Sequence, residues 1–239
     1  MFETELSMTR YFIWFCLLPT FPPLSQSVQA QVNATSEKIF YASSVRAALG
    51  NLAENEKAIY SGPLYTQYFV NMGNDGHPFY HSLQPEGIMY DSILYSTVNF
   101  IYDVFLDEVV VINPDSAWIC VNKNKISYFL LGGHKLKRIE NVDGLPPGFY
   151  EVLYEDNGIS LFAKWTKVFN ASVWKEKVSF FVLKEKVYPV HSKTEIIDAL
   201  ADKESEVKGF IRQNKLRFKK SQKVESFTRI VGFYSSIRK

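Results

Sequence analysis

The feature that most constrains the fold is a series of short apolar runs between residues 64 and 189. The runs are rich in Val, Ile, Tyr and Phe, which favour the half-buried surface of a β-strand, and turn-forming residues separate them. Most neighbouring runs are fewer than about a dozen residues apart, too close for the crossover between parallel strands, so antiparallel pairing is predicted. We predict strands at residues 64–70, 87–90, 93–103, 108–112, 117–121, 126–131, 135–140, 149–154, 159–168, 178–183 and 186–189.

Glycine marks two of the turns in this region. Asn157-Gly158 lies between two apolar runs and favours a hairpin, because both residues tolerate positive φ. Gly132-Gly133-His134 predicts another turn; an oxyanion-hole loop has a similar sequence, but no Ser or Cys is placed beside it as a nucleophile. Residues 71–86 form the longest stretch of this region without a predicted strand, and loops of this length are either functional or mobile.

Three helices are predicted after the strands. Ser192-Lys-Thr-Glu195 is a capping box ahead of an apolar face, and it begins the first helix. Asp202 is expected to cap a second helix that ends at Asn214. Ser221 begins a third, in which apolar residues recur at helical spacing.

The predicted fold class is α+β. Residues 36–57 are rich in Ala and Leu and contain no Pro, which predicts a helix before the strands. The strands are expected to form a large antiparallel curved sheet, a meander like a half-barrel, with the C-terminal helices packed against it. The predicted organisation is an N-terminal helical segment at 31–62, an antiparallel β domain at 63–191 and C-terminal helices at 192–239.

Residues 1–30 have the three-part layout of a secretory signal peptide. An apolar run from Tyr11 to Leu18 follows Arg10, and Val28-Gln29-Ala30 suits cleavage after Ala30. The apolar run is shorter than the roughly 20 residues that span a bilayer, so no transmembrane span is predicted. Acidic residues before Met8 are unusual in a signal peptide, and initiation at Met8 would give a more ordinary one. We therefore expect an exported protein, either periplasmic, associated with the outer membrane, or secreted.

Charge is unevenly distributed along the chain. Residues 203–239 contain 11 Lys and Arg against 3 Asp and Glu, whereas residues 31–202 contain 15 against 20. A basic C-terminal segment is consistent with peripheral contact with an anionic envelope surface through 203–239. The alternative is a solvated helical face, and the sequence favours that alternative. Export argues against a nucleic-acid partner.

Several short segments of the sequence resemble those of a group of exported proteins that are common in Bacteroidota and carry no assigned activity. The segments are Tyr60-Ser-Gly-Pro-Leu-Tyr65, Gly76-His-Pro-Phe-Tyr80, Gly87-Ile-Met-Tyr-Asp91, Tyr95-Ser-Thr-Val98, Tyr102-Asp-Val104 and Gly148-Phe-Tyr150, followed by a basic helical C-terminus. The resemblance covers most of the chain after residue 30 and implies a periplasmic or outer-membrane-associated protein. It implies no catalytic residue. The meander also resembles, in architecture alone, the half-barrel lipoprotein carriers of the envelope.

Candidate polar sites are few. His77 and His81 share one side of an extended segment and, with Asp75 as a third ligand, would form a metal site; loop histidines without a metal are the favoured interpretation. Asp103, Asp107 and Glu108 flank a predicted tight turn, where Asp side chains ordinarily bond to nearby backbone N–H groups. No nucleotide-binding motif or serine-nucleophile motif is present, and no cofactor is expected.

Cys120 is the one cysteine after residue 30, so that part of the chain cannot form an internal disulfide. It lies in an apolar run that is predicted to be a strand. A small buried hydrophobic residue is therefore the expected role.

Aromatic residues cluster around the 71–86 segment. Tyr65, Tyr68, Phe79 and Tyr80 are candidates for an apolar or sugar-stacking site. Cross-strand packing is the alternative, and it is the favoured one.

The sequence therefore favours a non-enzymatic binding or structural module for a protein partner or an apolar, lipid-like ligand. The alternative is an exported hydrolase with an unfamiliar site in the 71–86 loop or the 132–134 turn. Such an enzyme would use His77, His81, His134 or Asp103.

Overall fold

The computed structural model describes residues 57–68, 78–80, 84–170 and 173–238. The predicted signal peptide with its cleavage site at Ala30 lies outside the described residues, as do almost all of the predicted N-terminal helix and the histidines His77 and His81. Among the described residues, no helix is both long enough and apolar enough to cross a membrane.

Eleven strands are present in these ranges, all paired antiparallel. They are β1 (Pro85–Tyr90), β2 (Ile93–Tyr95), β3 (Asn99–Asp103), β4 (Glu108–Ile112), β5 (Trp118–Cys120), β6 (Ile126–Leu131), β7 (His134–Ile139), β8 (Gly148–Asp156), β9 (Ile159–Asn170), β10 (Val173–Leu183) and β11 (Val187–Val190). Eight of them form one sheet in the order β11-β10-β9-β8-β7-β6-β1-β2, and β3-β4-β5 form a second. The α+β class and the antiparallel sheet are confirmed.

The predicted strand at 93–103 is divided between the two sheets. Ile93–Tyr95 pairs with β1 in the large sheet, whereas Asn99–Asp103 pairs with β4 in the small one. Residues 96–97 form a bend between them. Ser96 and Thr97 interrupt the apolar run at this bend, and the two parts of the run belong to different sheets. The half-barrel curvature stays a prediction.

Both glycine-marked turns are hairpins with positive φ. Asn157 and Gly158 have φ of 48° and 71° and connect β8 to β9. Gly132 and Gly133 have φ of 53° and 79° and connect β6 to β7. Two consecutive left-handed residues match the twist of the flanking strands, which is why the turn predictions are confirmed.

The helices are α1 (Lys193–Ala199), α2 (Glu204–Gln213) and α3 (Lys223–Ile237). The capping box of Ser192 and Glu195 is confirmed, as is the end of α2 at Asn214. The cap assigned to Asp202 is wrong, because α2 follows Lys203 and has no side-chain cap. The Asp202 carboxylate instead accepts hydrogen bonds from Lys184 Nζ and Tyr234 OH.

Two apolar clusters form the main core. The first joins β1, β6, β7 and β8 to the three-stranded sheet and includes Phe100, Phe129 and Phe149. The second joins β9, β10 and β11 to the three helices and includes Phe180 and Phe227. Complete burial of a side chain of this size contributes about 1.5–3 kcal/mol. Trp165 on β9 packs against both clusters and so marks the boundary between them.

Candidate functional site

A buried carboxylate, Glu151, lies at the centre of the large sheet. Its side chain is nearly inaccessible, with the residue only 4% exposed. Oε2 accepts hydrogen bonds from Trp165 Nε1 at 2.6 Å and from Tyr80 OH at 3.2 Å, and Oε1 lies 2.5 Å from His134 Nδ1. Burying a carboxylate is unfavourable unless it is paired and hydrogen-bonded, and these three groups meet that requirement.

The strand register explains why these side chains meet. Glu151 on β8 pairs with Leu136 on β7 and with Ala163 on β9. His134 and Trp165 lie two residues from those partners, so all three side chains share one face of the sheet. Diagonal positions of this kind are within reach of long and aromatic side chains.

Tyr80 reaches the site from a separate segment. Residues 78–80 run alongside β3, with Tyr80 N donating to Tyr102 O and Val104 N donating to Pro78 O. The Tyr80 ring lies edge-on to both His134 and Trp165, with centroids 6.2 Å and 5.8 Å away. Burial beside Glu151 raises the pKa of the Tyr80 phenol far above its ordinary value, so the phenol stays protonated and donates. Tyr80 therefore links the two sheets through Glu151.

His134 is the accessible member of this group. Its side chain is 43% exposed, and Nε2 forms no hydrogen bond within the part of the chain that the structure describes. In the tautomer whose Nδ1–H donates to Glu151 Oε1, Nε2 keeps a lone pair. An imidazole oriented in this way by a carboxylate is suited to accept a proton or to bind a metal.

A second buried carboxylate, Asp103, fixes the turn between β3 and β4. Its Oδ1 accepts from Phe105 N and Leu106 N, both at 2.9 Å. Its Oδ2 accepts from the hydroxyls of Tyr65 and Tyr68 at 2.5 Å and 2.7 Å. The turn-stabilising role that the sequence favours is confirmed. With both oxygens occupied and no solvent exposure, Asp103 is poorly placed for hydrolysis.

Asp107 closes the other end of the same turn. It accepts hydrogen bonds from Tyr102 OH at 2.5 Å, from Lys164 Nζ at 3.1 Å and from Phe149 N at 3.3 Å. Burial lowers the pKa of Lys164, although the Asp107 carboxylate opposes that shift. The turn is therefore tied to β8 and β9 of the large sheet.

Four aromatic side chains form a partly exposed surface beside this turn. Phe105 lies 5.3 Å from Trp174 and 5.9 Å from Tyr68 between ring centroids, and Phe169 lies 5.1 Å from Trp174. Phe105 and Phe169 are 47% and 40% exposed. We call Tyr68, Phe105, Phe169 and Trp174 the aromatic patch. It is built from the β3–β4 turn, the end of β9, the start of β10, and Tyr68.

The aromatic residues singled out in the sequence have different surroundings. Tyr65 and Tyr80 are buried, and their hydroxyls bind Asp103 and Glu151. Phe79 forms a backbone bridge with Asp103 and packs on Trp118, with centroids 6.0 Å apart. Tyr68 belongs to the aromatic patch. Burial of Tyr65 and Tyr80 fits packing better than ligand stacking.

The candidate metal ligands Asp75, His77 and His81 lie outside the described residues, so the predicted metal site stays a prediction. Residues 57–68, 78–80, 84–170 and 173–238 contain no group of three or more His, Cys, Asp or Glu arranged to hold a metal.

Cys120 is partly buried, and burial together with Glu108 raises its thiol pKa to about 12, so it stays protonated.

Sequence reasoning missed Glu151 and Trp165. A signal was present, because Glu151 lies two residues after Phe149 and so occupies a core-facing position in the strand alternation. An acidic residue at such a position indicates a buried polar contact.

Comparisons with family models, with curated proteins and with solved structures find no match for this chain.

Proposed function

We propose that this chain is an exported envelope protein that acts without catalysis and binds a protein partner through the aromatic patch. The observation that carries the proposal is the exposure of Phe105 and Phe169 in one group of touching rings. Contiguous exposed apolar surface marks interaction sites, and aromatic side chains are enriched at the centres of protein interfaces. Export rests on the sequence layout of residues 1–30 and on the resemblance to exported proteins.

The support beneath Phe105 strengthens this proposal. Asp103 holds the backbone N–H groups of Phe105 and Leu106, and two tyrosine hydroxyls hold Asp103. The turn therefore presents its apolar side chains on a fixed backbone. A surface ordered before binding loses less conformational entropy when a partner docks.

The test is native mass spectrometry of protein purified gently from the envelope of the exporting cell. The patch variant Phe105→Ser/Phe169→Ser is compared with Ile93→Ser/Leu94→Ser, which removes two equally exposed apolar side chains from β2. A bound protein that is lost from the patch variant and kept by the control supports the proposal. A bare wild-type protein contradicts it, and a bound small apolar molecule would assign the chain to ligand binding instead.

A second candidate function is hydrolysis with His134 as general base. The observation that favours it is that Tyr80 from the 71–86 segment and His134 from the 132–134 turn meet at Glu151. No Ser, Thr or Cys hydroxyl or thiol is bonded to His134 among the described residues, so His134 would activate water. Loss of chromogenic-ester hydrolysis in a folded His134→Ala variant would support this function. Equal hydrolysis by wild type and variant would exclude it.

A further inference from the structure

The connection between α2 and α3 presents an unusual run of positive charge. Residues 208–223 contain seven Lys and Arg and no Asp or Glu. From 215 to 219 the side chains alternate, as in an extended chain: Leu216 and Phe218 turn inward against the helical core, and Lys215, Arg217 and Lys219 are exposed. Arg212 and Lys220 extend the exposed set at either end. We call these five side chains the basic ridge.

The backbone beneath the basic ridge is fixed by hydrogen bonds. Lys215 has a φ of 53°, and the N–H groups of Lys215 and Leu216 donate to Arg212 O and Ile211 O, which is the usual left-handed end of a helix. Buried Ser226 donates from Oγ to Arg217 O at 2.6 Å. These hydrogen bonds fix the backbone that carries Lys215 and Arg217, and so fix where their side chains leave the chain.

The ion pairs among the described residues leave the basic ridge out. Nearby ion pairs join Lys208 to Glu204 and Arg229 to Glu225 within the helices. None of the five ridge side chains forms an ion pair with any residue that the structure describes. Five like charges on neighbouring exposed positions create a positive potential that favours an anionic partner.

We propose that the basic ridge binds the headgroups of an anionic phospholipid membrane. Alternate residues of an extended chain are roughly 6.5–7 Å apart, so the three central side chains point to separate anions and do not converge on one phosphate. Single-stranded nucleic acid is bound by stacking bases on aromatic side chains. Phe218, between Arg217 and Lys219, instead packs inward on Phe227, with centroids 6.0 Å apart, so it is not presented for stacking on a base. A flat array of anionic headgroups fits this geometry, and the proposal is independent of the aromatic patch.

The test is sedimentation of the full chain with vesicles of phosphatidylcholine, with and without phosphatidylglycerol. We expect binding to the anionic vesicles only, and its loss at about 1 M salt, where the Debye length is about 3 Å. Each Lys or Arg near such a surface changes partitioning about fivefold, so Lys215→Gln/Arg217→Gln/Lys219→Gln should weaken binding on the order of a hundredfold.

The matched control is Lys175→Gln/Lys177→Gln/Lys193→Gln, which removes the same charge from exposed positions elsewhere. Circular dichroism and thermal melting establish that both triple variants are folded. Equal binding to neutral vesicles, no loss in the ridge variant, or equal loss in the control would each overturn the proposal. Tighter binding to an oligonucleotide or a sulfated polysaccharide than to the anionic vesicles would also overturn it and would assign the ridge to a soluble polyanion.

Discussion

His134 Nδ1 and Glu151 Oε1 lie 2.5 Å apart, although one side chain is exposed to solvent and the other is buried. The Glu151 carboxylate thereby binds an exposed side chain, His134, from within the core of the large sheet. On its inner side the same carboxylate receives the indole N–H of Trp165 and the hydroxyl of Tyr80. This one group therefore joins β7, β8 and β9 to the segment that borders the small sheet.

Removal of the Glu151 carboxylate should destabilise the protein strongly. Glu151→Ala removes the acceptor that Trp165 Nε1 and Tyr80 OH share, and loss of a hydrogen-bond partner inside a protein costs about 1–3 kcal/mol. We expect the free energy of unfolding in urea to fall by roughly 3–5 kcal/mol. Glu151→Gln keeps an acceptor and the side-chain shape, so its loss should be smaller.

The control for this comparison is Glu155→Gln, on the same strand. Glu155 pairs with Lys137 at 2.7 Å, but both side chains are well exposed. Exposed ion pairs contribute about 0–1 kcal/mol. Equal destabilisation by Glu155→Gln and Glu151→Ala would refute the structural role given to Glu151.

Alkaline pH should unfold the protein through its buried tyrosines. Burial raises the pKa of Tyr65, Tyr80 and Tyr102 above the ordinary value near 10, with Asp103, Glu151 and Asp107 adding to the effect. A raised folded-state pKa gives stability that is complete below the unfolded pKa and is lost as pH rises above it. Three such groups should lower the unfolding free energy by roughly 4 kcal/mol per pH unit above about pH 10.

Tyrosinate absorbance during a pH titration measures this effect. The phenols of Tyr65, Tyr80 and Tyr102 should ionise only together with loss of the circular dichroism signal. Tyr65→Phe should reduce the delayed absorbance by one tyrosine. Smooth ionisation of every tyrosine in the folded protein would be inconsistent with the buried hydroxyls described above.

Local sequence signals were sufficient for most strands and for the glycine turns, but not for the division into two sheets. The strand predicted at 64–70 is wrong for its described part, residues 64–68, where Leu64 forms one isolated bridge with Ile119. The two glycine-marked hairpins, the Ser192 capping box and the end of α2 follow from nearby residues alone. The separation of β2 from β3 depends on packing between distant strands, which no local pattern within residues 93–103 encodes. Asp202 was misassigned for the same reason, because Lys184 and Tyr234 that bind it are distant in sequence.

The site was predictable only in part. The aromatic residues around the 71–86 segment predicted Tyr68, and the Gly132-Gly133-His134 turn predicted His134. Glu151 and Trp165 were not, because their importance depends on strand register. The pairing of Glu151 with Ala163 places Trp165 on the same face, and that register cannot be read from either strand alone.

A side chain at Gly148 should destabilise the protein. The φ of Gly148 is +149°, and an added Cβ would clash with Lys164 Nζ and Asp107 Oδ2. Gly148→Ala therefore forces Lys164 away from Asp107 as well as straining the backbone, and we expect a loss of roughly 2–4 kcal/mol in unfolding free energy. Denaturation in urea measures the loss.

Gly209→Ala is the matched control for Gly148→Ala. Gly209 lies within α2, and an added Cβ would meet nothing within 4 Å. Alanine favours a helix interior over glycine by about 0.5–1 kcal/mol, so this variant should be neutral or more stable. If the two variants lost equal stability, crowding at Gly148 could not be the cause.

Asp103→Asn should loosen the turn that presents Phe105. An amide at this position cannot accept from two backbone N–H groups and two tyrosine hydroxyls at once, because its nitrogen is a donor. Hydrogen bonds to a charged group contribute about 1.5–3 kcal/mol each, so the amides of Phe105 and Leu106 should exchange with solvent at least tenfold faster. Hydrogen exchange at those two amides is the measurement, and Asp115→Asn, at an exposed position in the β4–β5 connection, is the control. Unchanged exchange in Asp103→Asn would mean that the turn is held by packing alone, and the aromatic patch would then owe none of its order to the buried carboxylate.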